Sequence, residues 1–270
     1  MEPAPFELHR GGTLLRGDTV GEGTDVVLAH GLTATRTYVL LGSRALERSG
    51  HRVVRYDARG HGTSGPAAGG AYDYGELAAD LIGVLDESGA GRAVIVGSSM
   101  GAHTAVRAAA AAPGRVAALA LVTPAFDPDA AGDYGEWDRL AEGLRAGGAA
   151  GFVAAYDLDA LPDRWRGTVR RVLEQRIAAH EHPGAVADAL EAVPRSRPFE
   201  SWRELEALDA PAIVIATRDE ADPGHPLATA ASWAEALGAP LHVEQDGGAP
   251  LAWQGGRVSA LIAELAARTG

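Results

Sequence analysis

The chain has 270 residues, 46% of them apolar, no cysteine, and a net charge of −12 from 24 basic and 36 acidic side chains. That length suits one large α/β domain or a core with an insertion, not two independent domains. The acidic balance repels nucleic acid and anionic membranes, and the missing thiols exclude disulfides, thiolate catalysis and Cys-based metal sites. Lysine is also absent, so no Schiff base can form on a side chain. Residues 1–16 show neither a basic stretch leading into an apolar core nor a bilayer-length span, so a cytoplasmic protein with a small-molecule substrate is expected. The oligomeric state is left open.

Apolar runs of strand length alternate with helical patterns, the signature of a doubly wound, mostly parallel α/β sheet. Residues 6–10 and 13–17 read as a hairpin around Gly11-Gly12, and 25–29 as the first buried strand. A strand over 52–56 follows, then a helix over 74–88 with Leu77, Leu81 and Leu85 on one face. The run Ala93-Val94-Ile95-Val96 leads into a helix over 99–112 that ends at Pro113-Gly114. Further strands are expected at 116–122, 212–216 and 241–244, and an amphipathic helix at 257–268 closes the chain. Between 127 and 202 the strand pattern stops, and short helices broken at Gly147-Gly148, Pro162, Pro183, Pro194 and Pro198 take over. The division is therefore a core of 1–126 and 203–270 with a helical cap insertion of 127–202. Trp137, Phe152, Tyr156 and Trp165 of the cap either line a pocket or pack the cap onto the core.

Gly97-Ser98-Ser99-Met100-Gly101 is a G-x-S-x-G element between a buried strand and a helix, which places Ser99 on a sharp nucleophile elbow. Glycines two residues to either side fit because neighbouring backbone crowds that turn. A serine hydroxyl also needs donors for the oxyanion it creates and a base for its proton. The amides of Leu32, in His30-Gly31-Leu32 at the end of the first buried strand, and of Met100 are the expected oxyanion donors.

The His30-Gly31 element, the run Asp57-Ala58-Arg59-Gly60-His61-Gly62-Thr63-Ser64 after the next strand, and the Ser99 elbow occur in this order. Together they make the chain resemble α/β-hydrolase-fold proteins of the esterase, lipase and lactonase type. The resemblance implies that the 57–64 run is mostly structural and that His30 orders the oxyanion loop. It also implies a catalytic acid in the loop after the 212–216 strand, where Asp222 stands in an Asp-Pro pair and Asp219 is the alternative acid. The general base departs from the family pattern. A Gly-His-Ser-Pro-like turn is expected after the last strand, and the chain carries Gly247-Gly248-Ala249-Pro250.

Another histidine serves as base, or the chain is a substituted variant, or no Ser-His-Asp relay operates. His225, in the acid loop, is the first substitute from the core; His180 and His182 of the cap, His103 on the elbow helix, His242 on the last strand and His30 are the others. No cofactor and no metal are expected: His180 and His182 diverge by about 200° on a helix, and the Asp219, Asp222, His225 group fits a triad better than an ion. The reading is a serine hydrolase of small or medium-sized esters or lactones acting through a Ser99 acyl-enzyme. The alternatives are a non-hydrolytic enzyme on the same scaffold, such as a lyase, cyclase or acyl transferase, and a catalytically silent binding protein.

Overall fold

A computed structural model describes residues 2–244 and 249–269. Eight strands form one sheet in the order β1-β2-β4-β3-β5-β6-β7-β8. In chain order these are β1 (Ala4–Arg10), β2 (Thr13–Val20), β3 (Thr24–Ala29), β4 (His51–Tyr56), β5 (Ala93–Ser98), β6 (Val116–Val122), β7 (Ala212–Ala216) and β8 (Leu241–Val243). The hairpin of β1 and β2 joins β4 antiparallel, and every later pairing is parallel.

The helices are α1 (Ala45–Arg48), α2 (Tyr74–Glu87), α3 (Met100–Ala111), α4 (Gly135–Ala155), α5 (Asp163–Ala178), α6 (Pro183–Ala192), α7 (Trp202–Glu206), α8 (Leu227–Ala236) and α9 (Gly255–Ala266). The apolar content of the central strands is explained by burial on both faces. Ile95, Leu119, Leu121 and Val214 pack with Leu81, Leu85, Ala105 and Trp233, from α2, α3 and α8. Their sequence neighbours Val94, Val96, Ala118, Ala120 and Ile215 pack on the opposite face with Leu46, Val258, Ile262 and Leu265, from α1 and α9. The two-residue period of a strand thus feeds both layers at once. Asp73 caps α2 by accepting the Glu76 N–H at 3.0 Å, one half of a capping box.

Strand pairing stops after β6 and resumes at β7, and the intervening chain is helical. Helices α4, α5 and α6 share an apolar cluster of their own, including Leu144, Phe152, Leu173, Ile177 and Leu190, with Leu32 of the core packed against it. Gly148, at φ 56° and ψ −141°, kinks α4 where the Gly147-Gly148 break is expected. Of the four cap aromatics, Phe152 lies inside that cluster, Trp137 and Tyr156 pack at its edge, and Trp165 meets Trp253 of the core edge-on at 5.4 Å. Beneath the cap, the Arg59 guanidinium bonds Asp80 through Nε at 2.7 Å and Nη2 at 2.8 Å, with both side chains only 1% exposed. The 57–64 run is accordingly a braced turn. Asp57 accepts the amides of Arg36 at 2.8 Å and Thr63 at 3.0 Å, and Ser64 returns its hydroxyl to the Asp57 carbonyl at 2.6 Å. Among the described residues no helix is long and apolar enough to cross a membrane.

Candidate active site

Ser99 follows β5 directly and holds φ 50° and ψ −114°, a left-handed conformation that costs a non-glycine residue of order 1–3 kcal/mol. The surrounding structure fixes it there. Its N–H bonds the Val122 carbonyl at 2.9 Å, and its carbonyl accepts the amides of Ala102 and His103. The two flanking glycines are required by space: a Cβ on Gly97 would stand 2.2 Å from the Gly101 carbonyl oxygen, and one on Gly101 would stand 2.0 Å from that of Ala29.

The Ser99 Oγ lies 2.9 Å from His225 Nε2, and His225 Nδ1 lies 2.8 Å from Asp222 Oδ1. Serine, imidazole and carboxylate are therefore in line, with acid and base three residues apart on the loop between β7 and α8. That loop is a tight turn in which the amides of Ala221 and Asp222 bond the Arg218 carbonyl and the His225 amide bonds the Asp222 carbonyl at 3.1 Å. Buried Glu244, just past β8, braces it by accepting the Arg218 amide at 3.0 Å and the Leu251 amide at 3.3 Å. Burial pulls the His225 pKa down, but the charge and hydrogen bond of Asp222 outweigh it and leave the imidazole above its ordinary value. With the carboxylate at Nδ1, the proton of the neutral ring sits on Nδ1 and Nε2 is left to accept from Ser99.

The other candidate residues are placed differently. Asp219 accepts the Leu227 N–H at 2.7 Å and caps the first turn of α8. His103 lies under the elbow: its Nε2 accepts the amides of Ala125 at 3.1 Å and Phe126 at 3.2 Å, and its Nδ1–H faces the Tyr74 hydroxyl at 2.8 Å. Burial first, and the His225 charge second, lower its pKa to about 3. His30 accepts the Ala58 amide at Nε2 (2.9 Å) and donates from Nδ1 to the Gly31 carbonyl (2.8 Å), as an organiser of the oxyanion loop would. His180 reaches down from the cap, accepting the Gly62 amide at Nδ1 (2.7 Å) and donating from Nε2 to the Thr33 carbonyl (3.0 Å). His182 is exposed at the start of α6, and His242 is half-buried on β8. The Gly247-Gly248-Ala249-Pro250 turn falls partly outside the described residues, which include only exposed Ala249 and buried Pro250.

The peptides expected to supply the oxyanion donors lie beside Ser99. A Cβ on Gly31 would stand 3.4 Å from the Ser99 Cβ, so the Gly31-Leu32 peptide borders the elbow. Among the described residues neither the Leu32 nor the Met100 N–H has a backbone acceptor, and Met100 opens α3, where the helix dipole adds positive potential. Thr33, at φ 65°, is held by His61 at its N–H (3.3 Å) and by His180 at its carbonyl.

Two residues escaped sequence reasoning. Glu244 reads there as the polar end of a strand. Arg176 lies on the inward stripe of α5 with Leu173 and Ile177, and a cation on an apolar helical stripe was the available signal.

Comparison with known proteins agrees with this architecture. A family model for the alpha/beta hydrolase fold matches residues 25–184, ending before the β7–α8 loop. A protein of Variovorax paradoxus (strain S110) bearing the name carbamate hydrolase RutD is 31% identical over 220 residues, 81% of this chain and 79% of its own length. A thermophilic esterase of Thermogutta terrifontis, solved with malate bound, matches with a TM-score of 0.79 and 26% identity over 100% of this chain and 99% of the other. The enol-lactonase of Burkholderia xenovorans LB400 matches with a TM-score of 0.74 over 97% of this chain and 98% of the other, and at 23% identity that likeness concerns the fold alone.

Proposed function

The chain belongs to the alpha/beta hydrolase fold family, and from that premise we propose that it is a serine hydrolase of small or medium-sized esters or lactones. The observation that carries the reading is the pair of contacts at 2.9 Å and 2.8 Å linking Ser99, His225 and Asp222. Ser99 Oγ attacks the carbonyl carbon as His225 Nε2 takes its proton, and the oxyanion forms against the Leu32 and Met100 amides. Asp222 steadies the imidazolium, which then protonates the leaving alkoxide as the bond to it breaks. Water, activated by the same imidazole, cleaves the acyl-enzyme and restores the serine. The non-hydrolytic and binding readings drew their force from a missing imidazole after β8, and the contacts of His225 weigh against them. The relatives' names, carbamate hydrolase and esterase, favour acyl chemistry without selecting a substrate.

The test is intact-protein mass after exposure to a fluorophosphonate. One adduct is expected on the wild type and none on Ser99→Ala or His225→Ala. A folded wild-type protein that stays unlabelled and spares activated esters refutes the proposal.

A further inference from the structure

Arg176 projects from α5 toward the oxyanion loop, where its Nη2 donates to the Leu32 carbonyl at 2.9 Å and the Thr33 hydroxyl at 2.7 Å. Those two acceptors are neutral. Its Nε is buried with no hydrogen-bond partner, its Nη1 donates to no described residue, and among the described residues it has no ion-pair partner. The acidic group whose charge it feels, Asp222, is already bonded to His225. Arg176 also acts electrostatically on His225 and on the hydroxyls of Tyr38 and Tyr156, so its charge is felt across the candidate site. A guanidinium keeps its charge at any working pH, and taking it out of water costs several kcal/mol unless a counter-charge is supplied. Every other arginine described between α4 and α7 as making a side-chain contact to a carboxylate, such as Arg145, Arg166 and Arg195, sits at the surface. Arg176 is turned inward and contacts no carboxylate among the described residues.

We infer that Arg176 recognises a carboxylate on the substrate, so that the ester or lactone accepted at Ser99 is itself an acid. The inference rests on the serine hydrolase reading for its chemistry and on Arg176 alone for its selectivity. The Nε–Nη2 edge, which would grip a carboxylate through two parallel hydrogen bonds, is already drawn on by Leu32 and Thr33, so a substrate carboxylate meets the guanidinium at Nη1 as a single charge-assisted hydrogen bond. Nη2 remains engaged with Leu32 and Thr33, so a bound carboxylate is tied through one side chain to the loop that holds the oxyanion. Tyr156 supplies a further hydroxyl whose proton is held firmly: burial first, then the Asp222 charge, push its pKa up to about 12.

The experiment compares kcat/KM for mono-4-nitrophenyl glutarate with that for its methyl ester, and 4-acetoxybenzoate with its methyl ester, so that the carboxylate is offered on either side of the scissile bond. In the wild type at least one acid is favoured over its neutral partner by about 10- to 100-fold, the range of a charge-assisted contact. Arg176→Gln brings that ratio close to one, and Arg176→Lys, which keeps the charge, retains part of the preference. A ratio near one in the wild type for both pairs overturns the inference, as does an Arg176→Gln variant that slows acid and ester equally, because Arg176 then only positions the oxyanion loop. Glutarate binding, read as a rise in thermal midpoint that dimethyl glutarate does not produce, needs no turnover. Glutarate binding that depends on Arg176, in a protein whose Ser99 takes no fluorophosphonate, refutes the hydrolase and keeps the anion site. Turnover of neutral esters without glutarate binding does the reverse.

Discussion

Replacing His225 with alanine removes the only described imidazole in contact with Ser99. The size of the loss follows from where the others are. His30 and His61 each have both ring nitrogens committed to backbone groups, as does His180. His103 has one nitrogen on the Ala125 and Phe126 amides and the other on Tyr74. None can turn to Ser99 without breaking buried hydrogen bonds, each worth about 1–3 kcal/mol. With no substitute base, kcat/KM on an activated ester should fall by about 10⁴- to 10⁶-fold, or about 5–8 kcal/mol of transition-state stabilisation. Because serine and histidine act as one unit, the Ser99→Ala/His225→Ala double variant should be no slower than either single one. The assay is initial-rate hydrolysis of 4-nitrophenyl butyrate normalised to folded protein by calorimetry. A His225→Ala enzyme that keeps more than about 1% of the wild-type rate, or losses that multiply in the double variant, would refute the assignment of the base.

Three further outcomes are expected. The base must be neutral to act, so kcat/KM should fall as pH drops through a His225 pKa lying above the ordinary histidine value; Asp222→Asn should move that limb to lower pH and cut the plateau by about 10⁴-fold, both read from a pH–rate profile. Asp80→Ala takes from buried Arg59 its bidentate partner and leaves it only the partly exposed Glu76 at 3.0 Å, and should cost about 3 kcal/mol, a drop in thermal midpoint of about 10 °C by calorimetry. Burial, chiefly, holds the His180 pKa at about 4, below the unfolded value, so the unfolded chain binds more protons between that pH and about 6.5 and stability rises with pH across the window. His180→Asn should flatten that rise by up to about 3 kcal/mol in urea titrations at pH 4.5 and 7; an unchanged slope would place the acid sensitivity in His30 and His61, whose pKa values burial also lowers.

The sheet was legible because strand-length apolar runs buried on both faces can be read without tertiary knowledge, and the expected strand over 241–244 is one residue longer than observed β8. The elbow was legible for a different reason: Gly97 and Gly101 are demanded by clashes near 2 Å, so the backbone geometry leaves its mark in residue type. Sequence put Asp222 ahead of Asp219 only on its Asp-Pro context, since both follow β7 closely; in the structure one accepts from α8 and the other meets His225. Arg176 and Glu244 were missed as site residues because their roles depend on what packs against them. One is an arginine on a helix rich in arginines, and the other a carboxylate whose partners, Arg218 and Leu251, lie on separate loops.

Under the proposed mechanism, acid and base three residues apart change what the rest of the fold must supply. Where the base follows β8, as in the family pattern the chain resembles, acid and base come from separate loops and the structure must hold those loops in register. Here one short turn brings Asp222 to His225, and closing so small a loop costs little entropy. What remains is to aim that turn at Ser99, and β7 does this through its pairing with β6, whose last residue accepts the Ser99 amide. The end of β8 then has a lesser duty. Glu244 receives the Arg218 amide at the root of the turn, so it steadies the direction in which His225 points without touching the ring. Under the proposed mechanism Glu244 is therefore a positioning residue. Its replacement by glutamine, which keeps an acceptor for Arg218, should preserve far more of the Ser99-dependent rate than its replacement by alanine, while leaving the pH of the acid limb where Asp222 sets it.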